Sequence, residues 1–327
     1  MKLFNYMSDM DLRFFDVPKI GKTEAGALIP TQEAQGIIQG VVEKSIVLSQ
    51  GYRLPNMTSR TLRQKVLDTL PTAYFVNGEA GMKQMTNMAW SDKFITAEEI
   101  AVIVPVPEDI LDDSEYDIWG QVKPRLTEAF GRKIDEAILY GINKPSTWRN
   151  GIVTDATSAG NVVSLAGKND LYDAVLGEGG IIAAVEEDGY FVSGHVADIG
   201  MRAKLRGLRD TTGQPIFRSD MQTGTNYTLD GTKIDFPRNG VMDKSRSLMI
   251  SGDFSQLTYA IRQDLTFKIF TEGVIQDPST KEIVYNLMQN DMVALRAVMR
   301  LGWEIPNPIN LVNDDPDTRF PFAVLTA

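Results

Sequence analysis

Between Tyr116 and Tyr140 the apolar residues Ile118, Val122, Leu126, Ala129, Phe130, Ile134, Ala137 and Ile138 recur at intervals of three and four. That spacing places them on one face of a long helix, and the face must be buried along its length. Asp112, Asp113 and Asp117 stand at its start, where the helix dipole favours carboxylates, and Gly141 supplies a stop. Pro124 lies inside the pattern, where its ring collides with the carbonyl of Gly120 one turn earlier. The expectation is a long helix with a bend or hinge at Gly120/Pro124.

Extended elements surround it. The segment from Asn56 to Pro107 reads as a long hairpin. Its return limb, Lys93 to Val104, is rich in β-branched residues and ends in an apolar run suited to a strand buried on both faces. The distal part has turn residues, Val76-Asn-Gly-Glu-Ala-Gly81, flanked by Tyr74, Phe75, Met82, Met85, Met88 and Trp90. A two-stranded ribbon is marginal in water without something to pack on. These bulky groups therefore fold onto the chain's own core or cover another subunit, and pattern alone does not choose.

Residues 1–27 read as an arm. Phe4, Tyr6, Phe14 and Phe15 are denser than a solvated tail carries, so the arm is expected to order as a strap against a neighbour. A short helix follows, with Thr31 as N-cap, Glu33 in its first turn and Ile37, Val41 and Ile46 as its stripe. After Trp148 the pattern becomes a compact α/β alternation. Helices are expected over 171–187 and 195–206, with a short strand at 190–192 between them. A hairpin over 227–236 turns at Asp230-Gly231, and strands are expected over 247–250, 256–261, 266–270 and 291–303. Pro306 and Pro308 then lead to the C-terminus.

The 327 residues contain no cysteine and one histidine, so disulfides, thiolate chemistry and His-rich metal sites are excluded. Asp and Glu number 43 against 33 Lys and Arg, a net charge of −10, which disfavours a broad phosphate-gripping surface. No apolar run approaches the roughly 20 residues that cross a bilayer, and the acidic N-terminus lacks a signal-peptide core; a soluble chain without a membrane partner is expected. His195 follows Ser193-Gly194 and reads as the opening of a helix, near Asp198. Residues so close in sequence do not converge as a catalytic triad needs, so capping or packing is the better reading. The acidic pairs Glu98-Glu99, Asp112-Asp113, Glu186-Glu187 and Asp314-Asp315 read as solvated faces or helix-end charge. Gly177-Glu-Gly-Gly180 lacks the Gly-Lys-Ser/Thr sequel of a phosphate loop. No catalytic residue, cofactor site or metal site is assigned.

Four segments carry a resemblance. They are Leu67-Asp-Thr-Leu-Pro-Thr-Ala-Tyr-Phe-Val-Asn-Gly78, Ala97-Glu-Glu-Ile-Ala-Val-Ile-Val-Pro105, Leu111-Asp-Asp-Ser-Glu-Tyr-Asp-Ile-Trp119 and Glu128-Ala-Phe-Gly-Arg-Lys-Ile-Asp-Glu-Ala-Ile-Leu139. In this order they resemble the major capsid proteins of tailed bacteriophages, the Hong Kong 97-type fold. The resemblance implies an α+β subunit with an N-terminal arm (1–27), the start of a peripheral domain (28–57) and an extended loop (58–97). A peripheral domain with a spine helix (98–140), an axial domain (141–285) and a terminal strand and tail returning to the peripheral domain (286–327) complete it. It further implies a protein of the virion, assembled in the host cytoplasm. That protein forms pentamers and hexamers of an icosahedral shell, with a separate scaffolding protein, a portal and a possible decoration protein. The shell encloses double-stranded DNA without reading its sequence. On this reading Phe4, Tyr6, Phe14, Phe15, Tyr74, Phe75, Lys83, Met85 and Trp90 are subunit-interface candidates, and Gly120 and Pro124 are the spine-helix hinge. Some members cross-link a loop Lys to a neighbour's Asn with the help of a Glu. Lys83 stands near the loop position, but Asp291 and Val298 occupy the places of the Asn and the Glu. Two alternatives remain: a bacterial nanocompartment shell of the encapsulin type, and a soluble α/β hydrolytic enzyme centred on His195.

Overall fold

A computed structural model describes residues 45–76, 81–109, 111, 118–167, 170–208 and 228–327. In chain order its elements begin with α1 (Ile46–Gln50), β1 (Tyr52–Arg53), β2 (Thr61–Thr69), β3 (Ala89–Thr96), β4 (Glu98–Pro107) and α2 (Ile118–Tyr140). There follow α3 (Ile152–Ala159), β5 (Val162–Ser164), α4 (Leu171–Val175), α5 (Ile181–Glu187), β6 (Gly194–Ala197) and α6 (Ile199–Gly207). The rest are strands: β7 (Thr228–Leu229), β8 (Thr232–Asp235), β9 (Met249–Gly252), β10 (Thr258–Phe270), β11 (Val274–Gln276), β12 (Ile283–Asn286), β13 (Met292–Glu304) and β14 (Phe322–Thr326). The fold is α+β, as expected.

The chain divides into two compact units. The smaller contains Val102–Lys123 and Phe267–Ala297, and the larger contains Pro124–Thr266 and Val298–Ala327 together with the described part of 31–101. The division therefore falls between Lys123 and Pro124 inside α2.

In the larger unit a six-stranded sheet has the order β5-β14-β9-β6-β8-β7. Helices α4, α5 and α6 supply its cover: Leu171, Val175, Ile181, Val185, Met201 and Leu205 pack with Met249, Ile234, Ala323 and Leu325. The chain's end is thus a central strand. β14 pairs parallel with β5 and antiparallel with β9, and Phe322 to Leu325 are fully buried. That placement was absent from the sequence reading, which left the residues after Pro308 as a tail; Phe-Ala-Val-Leu is the short apolar run of a strand covered on both faces. The pairing also needs a glycine. Gly252 lies opposite Phe322, and a Cβ there would collide with the Pro321 carbonyl oxygen and the Phe322 ring.

Several local expectations are corrected. The helix expected over 171–187 is two, α4 and α5, because Gly177-Glu-Gly-Gly180 interrupts it, with Gly179 at φ 68°. No strand forms at 190–192, and His195 lies on strand β6 rather than opening a helix. The strands expected at 256–261 and 266–270 are one, β10; that at 247–250 is β9, shifted to Met249–Gly252. The 93–104 limb breaks at Ala97 between β3 and β4. In β4 only Val106 is fully buried, so it is not covered on both faces within one chain. The Asp230-Gly231 turn is as expected, with positive φ at both residues matching a two-residue hairpin.

Helix α2 runs through Pro124, and Leu126, Phe130, Ile134, Ala137 and Ile138 are buried as the periodicity predicts, although Ala129 is exposed. Gly141, at φ 68°, ends it, its N–H donating to the Ala137 carbonyl. Asp112, Asp113 and Asp117 lie outside the described residues, as do the arm and the Thr31 helix. In the smaller unit β11 and β12 form a hairpin over a cluster of Leu287, Met292 and Ala294, with Phe270, Ile275 and Tyr285 against it.

Candidate subunit interface

Strands β2 and β3 form an antiparallel ribbon in which Thr61 faces Thr96 and Leu67 faces Trp90. Alternation gives it two different faces. Leu62 and Ile95 turn inward and pack with Met57, Ala97 and Ala260. Trp90 and Phe94 turn outward and are 61% and 56% exposed, with the Arg63–Asp92 ion pair beside them at 3.5 Å. A large aromatic left that open costs apolar burial that a partner would recover.

Beyond Thr69 and Ala89 the ladder ends. The Thr72 N–H donates to Thr86 Oγ1 at 2.9 Å, but Tyr74, Phe75, Met82 and Met85 are exposed, Phe75 and Met85 fully so. Lys83 is exposed among them. The residues of the expected turn, 77–80, lie outside the described ones. The choice left open by the sequence falls against the hairpin covering its own core. Phe4, Tyr6, Phe14 and Phe15 lie outside the described residues. Of the hinge pair, Gly120 and Pro124 are both on exposed positions of α2.

The segment joining β13 to β14 lies beside the ribbon, since the Ile309 N–H donates to the Leu67 carbonyl. An open cleft there is lined by Tyr52, Val66, Leu67, Pro306 and Pro308 and, in equal number, by polar residues that include Gln64, Lys65 and Thr258. The loop that follows is held from within. Asp188 accepts from Asn161 Nδ2 and Asn313 Nδ2, both at 2.7 Å, and from the Phe320 N–H at 2.9 Å. Buried Arg319 donates to the carbonyls of Asn313 and Asn307 at 2.8 and 3.3 Å, and Tyr190 donates to Asn307 Oδ1. On this fixed base Leu311 is 88% exposed and Val312 68%, followed by exposed Asp314, Asp315 and Asp317. Sequence reading missed this loop: its signal was only an acidic stretch near two prolines, which also describes ordinary solvated chain.

Two buried titratable groups serve the scaffold. Asp135, on α2, accepts from the Ser45 hydroxyl at 2.6 Å and from the N–H groups of Ile46 and Val47, which fixes the start of α1. Burial raises its carboxyl to about 7 against those hydrogen bonds. His195 is fully buried in the sheet, with Nδ1 2.7 Å from Ser251 Oγ and Nε2 2.7 Å from Thr232 Oγ1. Burial lowers its imidazole to about 4. Both ring nitrogens are thus engaged by hydroxyls inside the core, the packing role expected of it.

Residues 25–312 match the sequence model of the phage capsid family. The chain is 26% identical over 272 residues to the major capsid protein of Staphylococcus phage 80alpha, covering 82% of this chain and 79% of that one. Among solved structures it is similar to one from Microbacterium phage Oxtober96, at 34% identity and a TM-score of 0.75, over 86% of this chain and 90% of that chain. One from Mycobacterium phage Adephagia aligns at 27% identity and a TM-score of 0.73, over 86% and 89%. The capsid chain of a native GTA particle shares the fold, at 17% identity and a TM-score of 0.60 over 99% and 100%.

Proposed function

The chain belongs to the phage capsid family and is the major capsid protein of a tailed phage, and from that premise we propose how it builds its shell. Copies join as pentamers and hexamers through the ribbon and the N-terminal arm, closing an icosahedral container in the host cytoplasm around double-stranded DNA. A separate scaffolding protein and a portal take part, and decoration proteins can bind the finished surface. The chain is a building block rather than a catalyst on this reading; engagement of His195 by Ser251 and Thr232 in the core supports it. The observation that carries it is the ribbon, whose Phe75, Met82, Met85, Trp90 and Phe94 stand open to solvent. A subunit that leaves so much aromatic and methionine surface bare gains most by covering it with another copy.

The shell is read as free of covalent cross-links. With no cysteine, disulfides are excluded. An isopeptide needs a Lys amine attacking a carboxamide, with a carboxylate to take the proton. Val298 is buried and cannot do that. Asp291 lies in the turn before β13 at φ 48° and offers a carboxylate in place of the carboxamide; Asn290 is its neighbour in the chain. Asn290 is instead occupied locally, its Oδ1 accepting from the Asn286 N–H at 3.0 Å. Electron microscopy of the purified chain, with and without scaffold, should show capsomers or closed shells. The same particles boiled in detergent should run as one band near 36.3 kDa. A chain that stays monomeric in both conditions contradicts the assembly reading; a ladder that collapses in Lys83→Ala contradicts the cross-link reading.

The hinge at Gly120/Pro124 is retained as part of this reading, supported by the unit boundary between Lys123 and Pro124. Pro124→Ala restores a backbone donor to the helix and should straighten it. Comparison of immature and expanded shells should show α2 bending between states in the wild type and less in the variant. Equal curvature in all four particles would remove the hinge.

A further inference from the structure

We propose that the apolar patch formed by Phe191, Leu311 and Val312 receives helix α6 of a second copy, with Lys204 and Arg206 of that helix set against Glu186, Glu187 and Asp314. This rests on the shell reading above and names a contact that does not use the β2–β3 hairpin.

Two segments far apart in the chain build the patch, both within the larger unit. Asn310 Nδ2 donates to the Asp188 carbonyl at 2.8 Å, and Asn313 Nδ2 donates to the Asp188 carboxylate at 2.7 Å. A Cβ on Gly189 would stand 3.0 Å from Val312 Cβ, so Val312 lies against the turn that leads to Phe191. Phe191 is 82% exposed although both of its flanks are fixed. The Tyr190 hydroxyl donates to Asn307 Oδ1, the Ser193 N–H donates to the Gly252 carbonyl, and Ser193 Oγ accepts from the Phe254 N–H. Three bulky apolar side chains are thus held open on anchored backbone. A partner that covers them recovers apolar burial and orders little that is not already ordered.

Charge identifies the occupant. The sequence has no Lys or Arg from 169 to 201 or from 301 to 318, and Glu186, Glu187, Asp314, Asp315 and Asp317 are exposed on these segments. Residues 199–209 are the reverse, with Arg202, Lys204, Arg206 and Arg209 and no carboxylate. In α6 Met201 and Leu205 are buried, while Ile199, Ala203 and Arg206 are exposed at i, i+4 and i+7, with Lys204 beside them. Such a face matches an acid-rimmed apolar patch, because Lys and Arg stems cover apolar surface while their charges reach the rim.

Topology sets the direction. Helix α5, which ends in Glu186 and Glu187, packs on β14 and β9. Helix α6 opens the connection from β6 to its parallel neighbour β8. The anionic and cationic surfaces therefore belong to different flanks of the sheet β5-β14-β9-β6-β8-β7. Copies placed side by side around an axis set one flank against the other, and a contact between two unlike patches closes into a ring when the rotation permits.

Two measurements on the full chain test this. Since the chain has no cysteine, Leu311→Cys and Ala203→Cys chains can be mixed, assembled and oxidised. On a non-reducing gel the mixture should give a linked dimer at twice 36.3 kDa that neither variant gives alone. The second measurement is charge reversal: Lys204→Glu with Arg206→Glu, Glu186→Lys with Glu187→Lys, and all four together. Each pair should raise the chain concentration at half assembly roughly fivefold, and the four together should return close to wild type. The thermal midpoint of each unassembled variant checks its fold. Particles that yield no mixed dimer, reversals that change nothing, or losses that add overturn this contact and leave the shell reading intact. A wild type that never assembles removes the shell reading and this contact with it.

Discussion

Asp188→Ala is expected to lower the unfolding free energy by about 3–5 kcal/mol, because it strands several buried donors at once. The Asp188 carboxylate receives Asn161, Asn313 and the Phe320 N–H, and lies 6% exposed. Those bonds tie the start of β5, the end of α5 and the entry to β14 to one side chain, so its loss loosens the central strand of the sheet. The midpoint of thermal unfolding of the unassembled chain should fall by roughly 10 °C. Asp314→Ala, at an exposed site on the same loop, should move the free energy by less than about 0.5 kcal/mol. Similar shifts in both variants would mean that Asp188 is not a structural hub.

Between about pH 4 and 7 two buried groups pull the stability of the wild type in opposite directions. Asp135 is raised from 3.8 to about 7, so its contribution is fully present below pH 3.8 and is lost as pH rises through 7. His195 is lowered from 6.5 to about 4, so its contribution is present above pH 6.5 and is lost as pH falls through 4. The two are worth about 4 and about 3 kcal/mol over nearly the same window. Asp135→Asn should leave the histidine unopposed, and stability should climb with pH. His195→Gln should leave the aspartate unopposed, and stability should decline with pH. The slope of the melting midpoint against pH is the readout, which is insensitive to the fixed cost of either substitution. Variants that both keep the wild-type slope would show that neither group titrates in this range.

Much of this was legible in the chain's periodicity. Helix α2, its Gly141 stop and the Asp230-Gly231 hairpin all rest on interactions between residues near in sequence, and such interactions leave a pattern of spacing. The bulky groups of the distal hairpin were nameable from composition, but their exposure was not, since most of them lie beyond the β2–β3 ladder. The break between α4 and α5 was also written in Gly177-Glu-Gly-Gly180, but the helical pattern on either side outweighed it. His195 was misplaced onto a helix because Ser-Gly followed by an amphipathic stretch marks a helix start nearby, and the start proved to be Asp198.

By itself the sequence determined the long helix with its internal proline, the two-residue turn at Asp230-Gly231, and the absence of thiol and His-cluster chemistry. These follow from composition and from contacts within a few residues. Only the tertiary structure decided that Phe322–Thr326 enters the middle of the sheet between β5 and β9, and that Asp188 gathers Asn161, Asn313 and Phe320 around one carboxylate. It alone brought Pro306 and Pro308 alongside β2 to make a groove. Those partners lie far apart in the chain, 159 positions in the case of Asn161 and Phe320. A one-dimensional pattern carries no term for such pairs, because their energy exists only after the backbone has closed the loop between them.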